Sequence, residues 1–303
     1  MRIVVTGREG QVVRSLLERG PIAGHEIIAL GRPELDLAGH AVAIVDAVEA
    51  ARPDVIVSAA AYTAVDKAES DADAAFAVNA DGPGAVAKAA RKLGVPLIHL
   101  STDYVFDGSK TAPYVEDDLP APTGVYGASK LAGEEVVLAT HADVAILRTA
   151  WVYSPFGANF VKTMLRLAAD RDEVGVVSDQ RGNPTSALDI ADGVLAVAAN
   201  LITNDDQALR GTFHMTAAGE ATWAEFAEEI FAASAVVGGP TAKVRHIGTV
   251  DYPTPAKRPA NSCLDSTKLA DVHRVRLPDW RKSTAEVVGR LVAANKTEGT
   301  PRT

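Results

Sequence analysis

Along the first half of the chain, short runs of β-branched and aliphatic residues alternate with segments whose apolar positions recur at helical spacing. Residues 2–6, 25–30, 55–58, 96–101 and 144–149 read as strands. Between them, residues 11–19, 39–52, 72–93 and 128–139 read as helices, the third with Gly82-Pro83-Gly84 as a kink or break. Such alternation predicts an α/β fold with a doubly wound parallel sheet, helices on both faces and right-handed crossovers. From about residue 150 the rhythm loosens. Residues 160–169, 187–199 and 222–233 read as helices and 211–215 as a strand, while 251–259, with three prolines, reads as irregular. The expected organisation is a first domain over 1–150 and a smaller lobe over 151–295, with segments returning to the first domain. A flexible polar tail is expected over 296–303.

The 303 residues are 47% hydrophobic, enough to bury a sizeable core. The net charge of −9 argues against a nucleic-acid surface, which needs a basic face. No run of about 18 apolar residues points to a membrane span. The single cysteine, Cys263, has no partner within the chain, and with no signal-like N-terminus the expected setting is a reducing cytoplasm.

The first strand leads into T-G-R-E-G-Q-V-V at residues 6–13. Gly7 and Gly10 let the backbone approach a pyrophosphate, which would sit at the amide end of the helix starting near Gln11 and Val12. The spacing is not G-x-G-x-x-G, and Val13 stands where a third, packing glycine is usual. Taken alone, the stretch also fits an ordinary strand-to-helix turn. At the end of the second strand, where an acidic residue would bind a ribose 2′-hydroxyl, stand Gly31 and Arg32. Arg32 suits a 2′-phosphate, and so NADPH over NADH, although a surface arginine would look the same. Asp36 and Leu37 follow, toward the adenine.

The most informative run is Y-G-A-S-K, residues 126–130, after S-T-D-Y-V-F-D-G at 101–108. Tyr126 and Lys130, at i and i+4, share a helix face. A phenol is a poor proton donor and acceptor near neutrality until a neighbouring ammonium favours its anion, a charge Lys130 would supply. Thr102 would hydrogen-bond a substrate oxygen at the carboxyl end of the fourth strand. This set suits protonation of an alkoxide as a carbonyl takes up hydride.

Further runs carry a resemblance: A-A-A-Y-T-A-V-D-K-A-E (59–69), R-T-A-W-V-Y (148–153), N-F-V-K-T-M-L (159–165), D-Q-R-G-N-P-T (179–185) and R-P-A-N-S-C-L-D (258–265). With the runs above, they make the chain similar to the extended short-chain dehydrogenases/reductases. More narrowly, it resembles the dTDP-4-dehydrorhamnose reductase family, over roughly residues 1–285. The resemblance implies a Rossmann-type fold and reduction of a dTDP-4-keto sugar with NADPH or NADH. It implies Tyr126 as catalytic acid, Lys130 as its partner and ribose ligand, and Thr102 as the third catalytic group. Gly7, Gly10, Gln11 and Val12 would line the pyrophosphate, with Ala60, Ala61 and Tyr62 along the cofactor toward the nicotinamide. Asp103, Tyr104 and Trp151 would meet the sugar, and Asn159 and Arg258 the diphosphate. Asp66, Lys67 and Glu69 read as a solvated or structural cluster at a helix start. Some relatives dimerise through magnesium held by two glutamates; Ser15 and Leu188 stand at those positions, so no metal is expected and the chain reads as a monomer or weak homodimer. Two other readings remain at this point: a nucleotide-sugar epimerase or dehydratase, and a non-catalytic subunit like the regulatory one of methionine adenosyltransferase.

Overall fold

The computed structural model describes residues 1–298. The first half alternates strand and helix: β1 Arg2–Thr6, α1 Gln11–Ile22, β2 Glu26–Leu30, α2 Ala41–Ala50 and β3 Val55–Ser58. A short helix α3, Val65–Ala68, precedes α4 Ala72–Phe76 and α5 Gly82–Leu93; then come β4 Leu97–Thr102, α6 Val125–Thr140 and β5 Val144–Thr149. The second half contains β6 Val152–Tyr153, α7 Phe160–Asp170, β7 Glu173–Val177, β8 Arg181–Gly182, β9 Thr185–Ser186 and α8 Ala187–Thr203. It continues with β10 Gly211–His214, β11 Ala221–Thr222, α9 Trp223–Val236, β12 Lys243–Ile247, α10 Thr267–His273 and α11 Trp280–Glu298.

Six strands form one sheet in the order β10-β5-β4-β3-β1-β2, every neighbouring pair parallel. The chain starts at β1 and winds outward in both directions, so the strand order reverses between β1 and β3. In open sheets of this kind, ligands bind outside the carboxyl ends at that reversal. Strands β3, β4 and β5 are buried throughout, as strands covered by helices on both faces must be. Ile3, Val5, Val57, Ile98 and Leu147 form one core with α8 residues Ile190, Val194 and Val197. The second core gathers Tyr153, Met164, Phe226, Ile230 and Trp280.

The segment expected as one helix over 72–93 is interrupted before the Gly-Pro-Gly run. Residues Ala77–Asp81 form a π-helical turn, with Pro83 in the first turn of α5. Pro83 has no N–H to offer Asn79, four residues back, so the regular ladder cannot run through. The helix carrying Tyr126 starts at Val125 rather than 128, because its cap comes from elsewhere: the Glu69 carboxylate accepts the Val125 N–H at 2.9 Å. The first three residues of the tail expected over 296–303 are helical. Helix α11 continues to Glu298, and the rest of that expected tail lies outside the described residues.

Candidate active site

The cofactor question begins at Gly7, which has a φ of +98° and gives its N–H to Leu30 at 2.6 Å. Gly10 caps α1 without a side-chain partner, so the amides of that helix's first turn stay available to an anion. Val13 is buried in the first core. Its methyl packs toward Gly7 from the side facing the sheet, which makes it a packing residue behind the turn. Ala60 packs toward Gly7 as well, and the Thr6 hydroxyl accepts the N–H groups of Ala59 and Ala60 at 3.0 Å each. This geometry fits a pyrophosphate: an open helix terminus beside a glycine turn at the sheet's reversal.

Two expected contacts are altered by what the side chains do. The Gln11 amide turns away from the turn, donating to Val152 O at 3.2 Å and accepting from Ser154 and Asn159 at 2.8 and 3.0 Å, so only its backbone faces an anion. Asn159 is engaged on every polar atom. It caps α7 through Lys162 N and donates to Gln11, Ser154 O and Phe156 O, which leaves nothing for a diphosphate. Asn159 also borders a different cavity, of 590 Å³, lined by Lys162, Arg166 and Asn295. Leu37 is buried against Gly82, and the Asp36 carboxylate accepts the Ala38 N–H at 3.0 Å.

The end of β2 is more ionic than the sequence suggested. Arg8 lies along Gly31, ion-pairs with Glu34 at 2.6 Å and reaches Arg32 O at 3.4 Å. A carboxylate does stand at this edge, therefore, held by a second arginine from the glycine turn. Ala61 follows Ala60 at the end of β3. The backbone N–H and carbonyl of Tyr62 are clamped by Asn79 of the π-helical turn, at 2.8 and 3.1 Å. Asn79 also donates to Ser129, one residue before Lys130. This clamp joins the loop after β3 to α6, and sequence reasoning missed it.

At the carboxyl end of β4 the Thr102 hydroxyl donates to Asp103 at 2.8 Å and accepts the Tyr104 N–H at 3.2 Å. Helix α6 comes close to this loop because residue 127 is glycine: a Cβ there would sit on the Tyr104 carbonyl oxygen. The approach sets Tyr126 edge-on to Tyr104, ring centres 5.5 Å apart, with Thr102 beside its hydroxyl. Burial pushes the Tyr126 phenol well above its ordinary range, the Thr102 hydroxyl opposing and the charges of Asp103 and Tyr104 reinforcing. Lys130 lies one turn further along α6. Its Nζ turns to β4, donating to Leu100 O at 2.6 Å and meeting His99 Nε2 at 3.4 Å. Burial brings its ammonium down to about 8, with Glu134 opposing. Asp103 is buried as well, and burial lifts its carboxyl to about 6 against the Thr102 and Ser262 hydroxyls. Tyr126 and Asp103 are thus both biased toward their protonated forms.

On the substrate side, Trp151 has a φ of +47°, a strained conformation for a bulky side chain. Its indole stacks on Trp223 at 3.5 Å and donates to the Ser262 hydroxyl at 3.1 Å. The ring occupies the space a side chain at Gly182 would fill, which accounts for the glycine in D-Q-R-G-N-P-T. Beyond it opens a cavity of 620 Å³, lined by Tyr104, Phe160, Trp223, Asp66 and Arg258 among others. The size is right for a small-molecule ligand. Arg258 ion-pairs with Asp66 at 2.7 Å and reaches the Tyr104 hydroxyl at 3.4 Å. Ser15 and Leu188, at the positions of the bridging glutamates, are both buried. Among the described residues, no group of three or more His, Cys, Asp and Glu side chains could hold a metal ion, and no helix is long and apolar enough to cross a membrane.

Residues 1–293 match the family described as RmlD substrate binding domain. The chain belongs to this family. A dTDP-4-dehydrorhamnose reductase of Sinorhizobium fredii (strain NBRC 101917 / NGR234) is 50% identical over 296 residues, covering 98% of this chain and 99% of the relative. Among solved structures, the dTDP-4-dehydrorhamnose reductase of Clostridium acetobutylicum ATCC 824 superposes with a TM-score of 0.88 at 38% identity, over 96% of this chain and 99% of that one. The corresponding reductase of Bacillus anthracis str. Ames, solved in complex with NADP, gives 0.87 at 34% identity over 94% and 98%. The Rossmann-type α/β architecture of this RmlD-family chain is thus that of its reductase relatives.

Proposed function

We propose that the chain reduces the 4-keto group of dTDP-4-dehydro-6-deoxy-L-mannose to give dTDP-L-rhamnose. The observation that carries this reading is Tyr126 beside Thr102 and edge-on to Tyr104, which with Trp223 and Arg258 lines the 620 Å³ cavity. The reductase names of its relatives support the same substrate class. A nicotinamide cofactor, when held at the carboxyl end of the sheet, would supply the hydride. Gly7, Gly10 and the amides of Gln11 and Val12 would hold its pyrophosphate, with Ala60, Ala61 and Tyr62 along its length. Thr102 orients the carbonyl oxygen, and Tyr126 delivers a proton to that oxygen as negative charge develops on it. Lys130 holds a donor toward the ribose while its other bonds fix α6 against β4. Asp103, Tyr104 and Trp151 surround the sugar, and Arg258 takes the diphosphate in charge-assisted hydrogen bonds. Oxidation of reduced cofactor, followed with the keto sugar made in situ by the enzymes upstream, tests the reading. No sugar product under conditions where an authentic reductase forms one would sink it.

The ionic edge of β2 supports NADPH as the favoured cofactor, with NADH also used. Arg8 and Arg32 would both face a 2′-phosphate, while Glu34 tempers their charge. Because these groups are exposed and screened, each arginine's effect is expected to be severalfold. Arg8→Ala and Arg32→Ala should each raise the Michaelis constant for NADPH about three- to tenfold and leave that for NADH within about twofold. Equal losses with both cofactors would mean the arginines support the loop rather than the phosphate.

A further inference from the structure

The run A-V-D-K-A-E contributes two carboxylates that join parts of the site far apart in sequence. Both oxygens of Asp66 face the C-terminal segment: Oδ2 accepts from the Arg258 guanidinium at 2.7 Å, and Oδ1 accepts the Ala256 N–H at 3.2 Å. Glu69, which follows that short helix directly, accepts the Val125 N–H at the start of the helix that carries Tyr126. Arg258 also reaches the Tyr104 hydroxyl, and the Tyr104 ring packs on Tyr126. Asp66, Tyr104 and Arg258 all line the 620 Å³ cavity. Helix α3 and the residue after it therefore brace Arg258, which lines the cavity, against the start of the helix that carries Tyr126.

We infer that Asp66 is a positioning residue for nucleotide-sugar binding, holding Arg258 in the orientation in which its free N–H groups meet the diphosphate. The inference rests on the reading of Arg258 given above. A free arginine side chain samples many rotamers and loses that freedom on binding; one already fixed by a carboxylate loses less. The Asp66 charge also repels a diphosphate. At a side chain 42% exposed that repulsion is screened by water, so the ordering effect prevails.

The test is a double-mutant cycle on the full-length chain. Asp66→Asn keeps an oxygen for the Ala256 N–H and removes the charge that fixes Arg258. Titration with dTDP by calorimetry should show binding weakened about fivefold or more, with the Michaelis constant for the keto sugar raised in parallel and kcat within about twofold. NADPH affinity and melting temperature should stay near the wild type. In an Arg258→Ala background, Asp66→Asn should have no further effect, because it acts through the arginine. Unchanged or tighter dTDP binding in the single variant, or an equal loss in both backgrounds, overturns the inference. If Arg258→Ala itself leaves dTDP affinity unchanged, the diphosphate reading fails and the inference falls with it. If only Asp66→Asn is silent, the diphosphate reading stands and the positioning role alone is lost. Should the asparagine variant not fold, Asp66→Ser, which also removes the charge, is read in the same cycle: weakened dTDP binding that vanishes in the Arg258→Ala background supports the role, and wild-type affinity refutes it.

Discussion

Tyr126→Phe should lower kcat on the order of 100-fold or more, the loss expected when a general acid is removed. The phenylalanine ring keeps the edge contact with Tyr104 and the packing of α6, so the change is confined to one hydroxyl. NADPH should bind the variant with an affinity close to wild type, because the pyrophosphate cradle lies on a different element. The phenol stays protonated throughout the neutral range, since burial holds it above its ordinary value. The basic limb of the wild-type profile should instead follow Lys130. Its ammonium, lowered to about 8, is charged below that pH and neutral above it, so rate should fall as pH rises through about 8. Steady-state kinetics of both proteins, with cofactor titration, check these outcomes. A variant retaining more than about a tenth of wild-type kcat would assign the proton to another donor, and Asp103 would be the next candidate.

Glu134→Ala should destabilise the chain by about 3–5 kcal/mol, the range for breaking a buried ion pair by removing one partner. Glu134 and Arg148 are 3% and 5% exposed, and the guanidinium makes a two-pronged contact, Nε to Oε1 at 2.9 Å and Nη2 to Oε2 at 2.6 Å. The Ser101 hydroxyl also donates to Glu134, and the Arg148 guanidinium lies 5.1 Å over the Phe106 ring. Without the carboxylate, a buried guanidinium is left between β4, β5 and α6 with no compensating charge. Denaturant unfolding monitored by far-ultraviolet circular dichroism reads the loss. Glu134 also opposes the burial of the Lys130 ammonium, so the variant's basic limb should move to lower pH. A loss below about 1 kcal/mol would mean that the guanidinium finds other partners or water.

The sheet was legible because its inner strands are covered on both faces and so appear as uninterrupted apolar runs. The paired strands of the second half were not. Segments such as β8 and β11 are two residues long and exist only because distant segments meet, so no local periodicity marks them. The i, i+4 relation of Tyr126 and Lys130 was readable, whereas the direction of the lysine was not: it depends on a carbonyl in β4, 30 residues away. The partners of Asn159 and Asp66 were hidden for the same reason, their distance along the chain. Asn159 looked available until Gln11, 148 positions distant, was seen to hold it. Asp66, read as solvated or structural, is structural, and its partner Arg258 lies 192 positions away.

Strand β10 has a consequence for how the molecule comes to exist. The sheet's outer strand beside β5 is drawn from residues 211–214, and the helix packed on α1 from residues 187–203. On a ribosome, the first 150 residues emerge with β5 bare along one side and with the α1 face of the sheet uncovered. An unpaired hydrophobic strand of this kind invites pairing with another nascent chain. Completion of the nucleotide-binding half waits until more than 60 further residues, including much of the second core, have been made. Translation speed through residues 150–214, and any chaperone that shields β5 during that interval, should therefore govern the yield of active protein more than the final stability does.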